Sequence, residues 1–197
     1  MIHLSHHIMG IDLGSQLSGN TVVASVEDGV LIFKRSMKNK SSDDFLTNLI
    51  QRFQPQHIFI DAPLSLPEVY LGRPGFDDYF YRKCDRMVRA MSPMFLGGLT
   101  ARAIKLKDTF PEAQFHESYP GGLARYLKMD ELGYKKSTSN IDSVTEALEA
   151  NSGLKIPEES QLSWHHIDAF LTLMIAQRYF EGKHQTFGDI REGQIIF

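Results

Sequence analysis

Ile8-Met-Gly-Ile-Asp-Leu-Gly and, further along, His57-Ile-Phe-Ile-Asp share one design: an apolar run of strand length, closed by an aspartate. Such runs read as strands buried on both faces, and Ala62-Pro63 marks where the second opens into a loop. Between them, Asn20 to Val26 and Val30 to Arg35 are β-branched and apolar, broken by Gly14, Gly19 and the turn signal Asp28-Gly29. This is the pattern of strands joined by hairpins. Ser41-Ser-Asp-Asp then caps a stretch in which Phe45, Leu46, Leu49, Ile50 and Phe53 recur at helical spacing, and Pro55 ends it.

From Pro63 to Gly98 the pattern dissolves into Pro63, Pro67, Pro74, Pro93 and several glycines, with one helical piece near Tyr79 to Met91. Excursions of this length in a compact domain are usually functional or mobile. Beyond it, helices are predicted over Thr100 to Phe110, Gly121 to Met129, Ile141 to Asn151 and Trp164 to Phe180. A strand is predicted over Gln114 to Ser118, a polar loop over Lys135 to Ser139 and a connection over Pro157 to Ser163. In the last helix Trp164, Ile167, Leu171, Met174 and Ile175 form a core stripe. The order strand, strand, strand, helix, strand, helix, strand is that of the ribonuclease H-like α/β fold. It implies a mixed sheet, antiparallel over its first three strands and flanked by helices, in one domain spanning 1–197.

The 197 residues suffice for a full core without disulfides, and 42% hydrophobic with 23% charged residues is ordinary globular composition. A single cysteine, Cys84, excludes an internal disulfide framework and agrees with a reducing, cytoplasmic setting; it reads as a packing residue. No signal-peptide layout and no membrane-spanning apolar run are expected. A net charge of −3 offers no global attraction to phosphate backbones, so nucleic-acid contact requires local basic groups and divalent ions.

Four carboxylates occupy places where unpartnered charge is costly: Asp12 and Asp61 at strand ends, Glu117 in Phe115-His-Glu, and Asp168 within Ile167-Asp-Ala-Phe-Leu-Thr-Leu-Met. Brought to one sheet edge, they would hold Mg²⁺ or Mn²⁺, ions that prefer oxygen ligands; two such ions about 4 Å apart support phosphodiester hydrolysis. Each has a plainer reading. Asp12 can cap a turn with Ser15, Asp61 can be a simple strand-end residue, Glu117 can face solvent, and Asp168 can be held by its helix N-terminus. His165 shares a helical face with Asp168 and is a candidate auxiliary, as is Lys136. Arg82, Arg86 and Arg89, with Lys83 among them, and Arg102, Lys105 and Lys107 on the next helix, are candidate phosphate clamps, although a solvated basic face is the commoner explanation. His3, His6 and His7 read as a leading segment rather than a metal site.

At Gly10-Ile-Asp-Leu-Gly, Ile60-Asp-Ala-Pro-Leu-Ser-Leu-Pro, Arg82-Lys-Cys-Asp-Arg-Met-Val-Arg, Glu117-Ser-Tyr-Pro, His166-Ile-Asp-Ala-Phe and the closing Gly188 to Ile195 segment, the chain resembles the family called domain of unknown function 429. Members are regarded as predicted nucleases of ribonuclease H-like fold. The last helix is similar, more loosely, to that of Holliday-junction resolvases. The resemblance implies Asp12, Asp61 and Asp168 as metal ligands with Glu117 as a fourth, and a nucleic-acid substrate, DNA or RNA. Two rivals stand beside this. Gly10-Ile-Asp-Leu-Gly-Ser resembles the phosphate-binding hairpin of actin-like ATPases and sugar kinases, which need two related domains. In the second rival, a non-catalytic binding module, Arg82 or Arg102 neutralises the carboxylates.

Overall fold

A computed structural model describes residues 7–27, 29–156 and 161–197. His3, His6, Asp28 of the predicted turn and the 157–160 part of the predicted connection lie outside the described residues. The first three strands are β1 (Ile8–Asp12), β2 (Val22–Glu27) and β3 (Val30–Arg35), followed by α1 (Ser42–Phe53) and β4 (His57–Asp61). The Ser41 hydroxyl accepts the Asp44 amide at the start of α1, and Gln54 in a left-handed conformation ends it immediately before Pro55.

Through the excursion, a tight helical turn at Glu68–Leu71 precedes the short helices α2 (Lys83–Val88) and α3 (Pro93–Leu96). The predicted helix over Tyr79 to Met91 is cut at both ends. Asp78 accepts the Phe80 and Tyr81 amides in a turn, and Arg89 takes a left-handed conformation (φ 57°). There follow α4 (Gly98–Thr109), β5 (Gln114–Glu117), α5 (Pro120–Tyr126), α6 (Ile141–Ser152) and α7 (Trp164–Phe180). A C-terminal hairpin that the sequence reading does not include, β6 (Thr186–Asp189) with β7 (Gly193–Ile196), closes the chain.

The sheet runs β3-β2-β1-β4-β5, with β1, β2 and β3 antiparallel and β1, β4 and β5 parallel. This is the mixed α/β sheet that the order of elements predicts. Its two faces pack separate cores. Met9, Ile11, Ile58 and Ile60 meet α1 and α4, whereas Ile8 and Phe59 belong to the larger core built around α7. Every residue of α7 from His166 to Ala176 is buried, so this helix is central rather than amphipathic. Among the described residues no helix is long and apolar enough to cross a membrane.

Candidate metal centre

Parallel pairing sets Asp12 of β1 beside Asp61 of β4, at the end of adjacent strands and on one face of the sheet. The helix α7 reaches this edge because of Gly10. A Cβ at Gly10 would lie 2.5 Å from the Leu173 amide nitrogen and 2.8 Å from the Ala169 carbonyl oxygen, so the missing side chain lets the helix backbone settle onto β1. That contact carries Asp168 to the strand ends. One carboxylate oxygen from each of Asp12, Asp61 and Asp168 lies within 4.8 Å of the other two. Asp12 and Asp61 open, with Glu117, Met91 and Lys135, onto a cleft of about 340 Å³.

Glu117 stands apart for a reason of register. It pairs with Ile60, not Asp61, and the alternation along a strand therefore points it away from the face that carries the trio. There it accepts the Leu64 amide and two guanidinium bonds from Arg82, at 2.7 and 2.5 Å. Arg82 is 0% exposed; its other contacts are Asp85 (2.7 and 3.1 Å) and the Ser65 hydroxyl (2.8 Å). It thus faces inward rather than onto the cleft. Glu192 joins this network by accepting the Lys83 amide at 2.7 Å, which ties the C-terminal hairpin to the start of α2.

The remaining basic candidates divide. Arg102 bonds Asp43 at 2.6 Å, the Ser42 hydroxyl and the Gly14 carbonyl, fixing the start of α1 to the loop after β1. Arg86 is exposed, pairs with Asp78 at 2.7 Å and lies over the Tyr81 ring; Arg89 is exposed at the end of α2. Lys136 points to the Asp130 carbonyl at the surface. Its neighbour Lys135 reaches the trio instead, with Nζ 2.6 Å from Asp168 Oδ2, while the Tyr134 hydroxyl donates to Asp168 Oδ1. Neither Tyr134 nor Lys135 is legible as a site residue in sequence, because a loop carries no periodicity to reveal which way a side chain turns. His165 contacts Asp12 rather than Asp168, its Nδ1 lying 2.7 Å from Asp12 Oδ2. His166 caps its own helix through Ser163, and burial lowers its pKa to about 4, so it is a neutral structural residue. Cys84 is fully buried.

Charge is unbalanced at the trio. Burial pushes Asp61 well above the usual carboxylate range, and Asp12 and Asp168 push it further against the pull of Lys135. Among the described residues no hydrogen bond or ion pair holds its carboxylate. Burial likewise raises Asp12, opposed by the His165 hydrogen bond, and that bond raises the His165 pKa. For Lys135, burial acts against the ammonium but is outweighed by Asp168, Asp61 and Asp12, leaving its pKa raised. All three ligand candidates offer oxygen, the donor that Mg²⁺ and Mn²⁺ select, and one of them has no counter-charge of its own. The residues present therefore fit a divalent ion.

No family model matches the chain, and no curated protein matches it. The solved structure of T. thermophilus RuvC in complex with Holliday junction substrate is similar over 89% of this chain and 96% of that one, at 14% identity and a TM-score of 0.44. At that distance the likeness adds nothing to the geometry above.

Proposed function

We propose that the protein is a divalent-metal-dependent nuclease of the ribonuclease H-like class, hydrolysing phosphodiester bonds in nucleic acid. The observation that carries the proposal is the convergence of Asp12, Asp61 and Asp168 from two adjacent strands and a crossing helix, beside a cleft that Asp12 and Asp61 line and, among the described residues, without an arginine on any of the three. Asp12, Asp61 and Asp168 would hold Mg²⁺ or Mn²⁺, which when bound supplies Lewis-acid polarisation of the phosphate and an acidified water. His165 orients the Asp12 carboxylate and keeps a proton at Nδ1. Arg82 acts as a positioning residue that fixes Glu117 at the cleft wall, and Arg86 and Arg89, exposed on α2 and at its end, would be the groups that meet phosphates, Arg86 by giving up its pair with Asp78. The resemblance to domain of unknown function 429 points the same way.

One observation favours the non-catalytic module: Lys135 and Tyr134 already satisfy both oxygens of Asp168. Cleavage assays on single-stranded, duplex and branched DNA and RNA distinguish the two. The nuclease reading expects Mg²⁺- or Mn²⁺-dependent cleavage, abolished by EDTA and reduced about 100-fold or more by Asp12→Asn. Cleavage that survives both EDTA and Asp12→Asn overturns it.

A further inference from the structure

Lys135 occupies an unusual position for a surface lysine. Its residue adopts a left-handed backbone (φ 58°), which a lysine takes only at some cost, and its side chain is 49% exposed while its ammonium sits against Asp168, itself 3% exposed. The residue before it is firmly fixed. Tyr134 is buried, its ring meets Trp164 edge-on at 5.5 Å, its amide bonds the Met129 carbonyl at 3.1 Å, and its hydroxyl bonds the other oxygen of Asp168. The turn therefore has a rigid anchor and, one residue on, a flexible cation. The ammonium can withdraw into solvent by stem rotation alone, without disturbing the core.

We propose that Lys135 is the cluster's built-in counter-cation, exchanging with a divalent ion at Asp168 and freeing its ammonium into the cleft as the ion binds. The inference rests on the metal reading above and deepens it. Three carboxylates face two nitrogen partners, Lys135 on Asp168 and His165 on Asp12, and Asp61 has neither. An ion entering at Asp61 meets the Lys135 ammonium at Asp168, and two cations cannot share so small a cluster without strong repulsion. Lys135 leaves because it is the member with a solvent-exposed stem. Once freed, it lies on the wall of the cleft that holds Asp12 and Asp61, where an ammonium attracts a phosphate.

The test is Mn²⁺ affinity of the full chain, read from the free-ion EPR signal at fixed pH and ionic strength, with no substrate present. Lys135→Asn removes the charge and keeps a residue tolerant of the left-handed backbone; it should bind Mn²⁺ about tenfold tighter or more. Lys135→Gln should follow it, whereas Lys135→Arg, which keeps the cation, should stay within about threefold of the parent. Unchanged or weaker binding in both neutral variants, with the parent binding Mn²⁺ normally, overturns the exchange and leaves the metal centre standing. Absence of Mn²⁺ binding in the parent and every variant overturns the metal reading, and this inference with it.

Discussion

Replacing Arg82 with methionine removes five side-chain hydrogen bonds at once: two to Asp85, two to Glu117 and one to Ser65. It leaves two buried carboxylates facing each other, Asp85 at 0% and Glu117 at 7% exposure. Breaking a buried pair from one side costs about 3–5 kcal/mol, most of it the uncompensated charge left behind. For a chain of this size that corresponds to a fall in melting temperature of roughly 10 °C. The loss should depend on pH with a definite sign. Burial already holds the Glu117 pKa above its ordinary value in spite of Arg82, and without the guanidinium it rises further. A carboxylate whose folded-state pKa exceeds its unfolded value costs no stability below the unfolded pKa, about 4.3 for glutamate, and an increasing amount as pH climbs towards the folded value. Urea denaturation at pH 8 and pH 4.5 should therefore show a larger Arg82→Met deficit at pH 8. Adding Glu117→Gln and Asp85→Asn should recover part of it, because neutral amides need no counter-ion. A deficit below about 1 kcal/mol, or one equal at both pH values, would refute the view of Arg82 as the buried counter-charge.

Other expectations can be checked on the metal-free protein. Asp61→Asn should raise the melting temperature at pH 8 in EDTA and make little difference near pH 4, since it removes a carboxylate whose raised pKa makes ionisation unfavourable to the fold. Gly10→Ala should cost about 1–3 kcal/mol in thermal or urea unfolding, because its methyl would meet the α7 backbone at 2.5–2.9 Å. In the same assays Arg102→Met should cost about 1–3 kcal/mol through its bonds to Asp43 and Ser42.

Much of the fold can be read from the chain because short strands and capped helices announce themselves locally. β3, β4 and α7 have the bounds that alternation, flanking glycine or proline, and apolar length imply, and α1 starts after the serine that caps it. The C-terminal hairpin escapes the reading because its pairing depends on tertiary support: Ser118 bridges Ile196, and Gly193 takes φ 135° against the Ser65 side chain. The candidate site divides along the same line. Asp12, Asp61 and Asp168 are conspicuous as carboxylates at strand ends and in an apolar helix. Glu117 looks equivalent in sequence, but the partner of its strand is set by register, which no local pattern reveals. Arg82 resembles Arg86 and Arg89 in its run of charges, yet only it is enclosed; its partners Asp85 and Glu117 come from α2 and β5. Lys135 differs from Lys136 by one position, yet its ammonium reaches Asp168 while that of Lys136 points to the Asp130 carbonyl, a difference that a polar loop sequence does not encode.

Everything proposed for this site depends on Asp12, Asp61 and Asp168 binding a divalent ion together. Anomalous scattering from a crystal of the unmodified protein soaked in manganese tests it without any choice of substrate. The expected result is a peak bounded by these three carboxylates, with the Lys135 side chain turned away from Asp168. No peak there, with Lys135 still on Asp168 at a manganese concentration that labels other carboxylates, would contradict it.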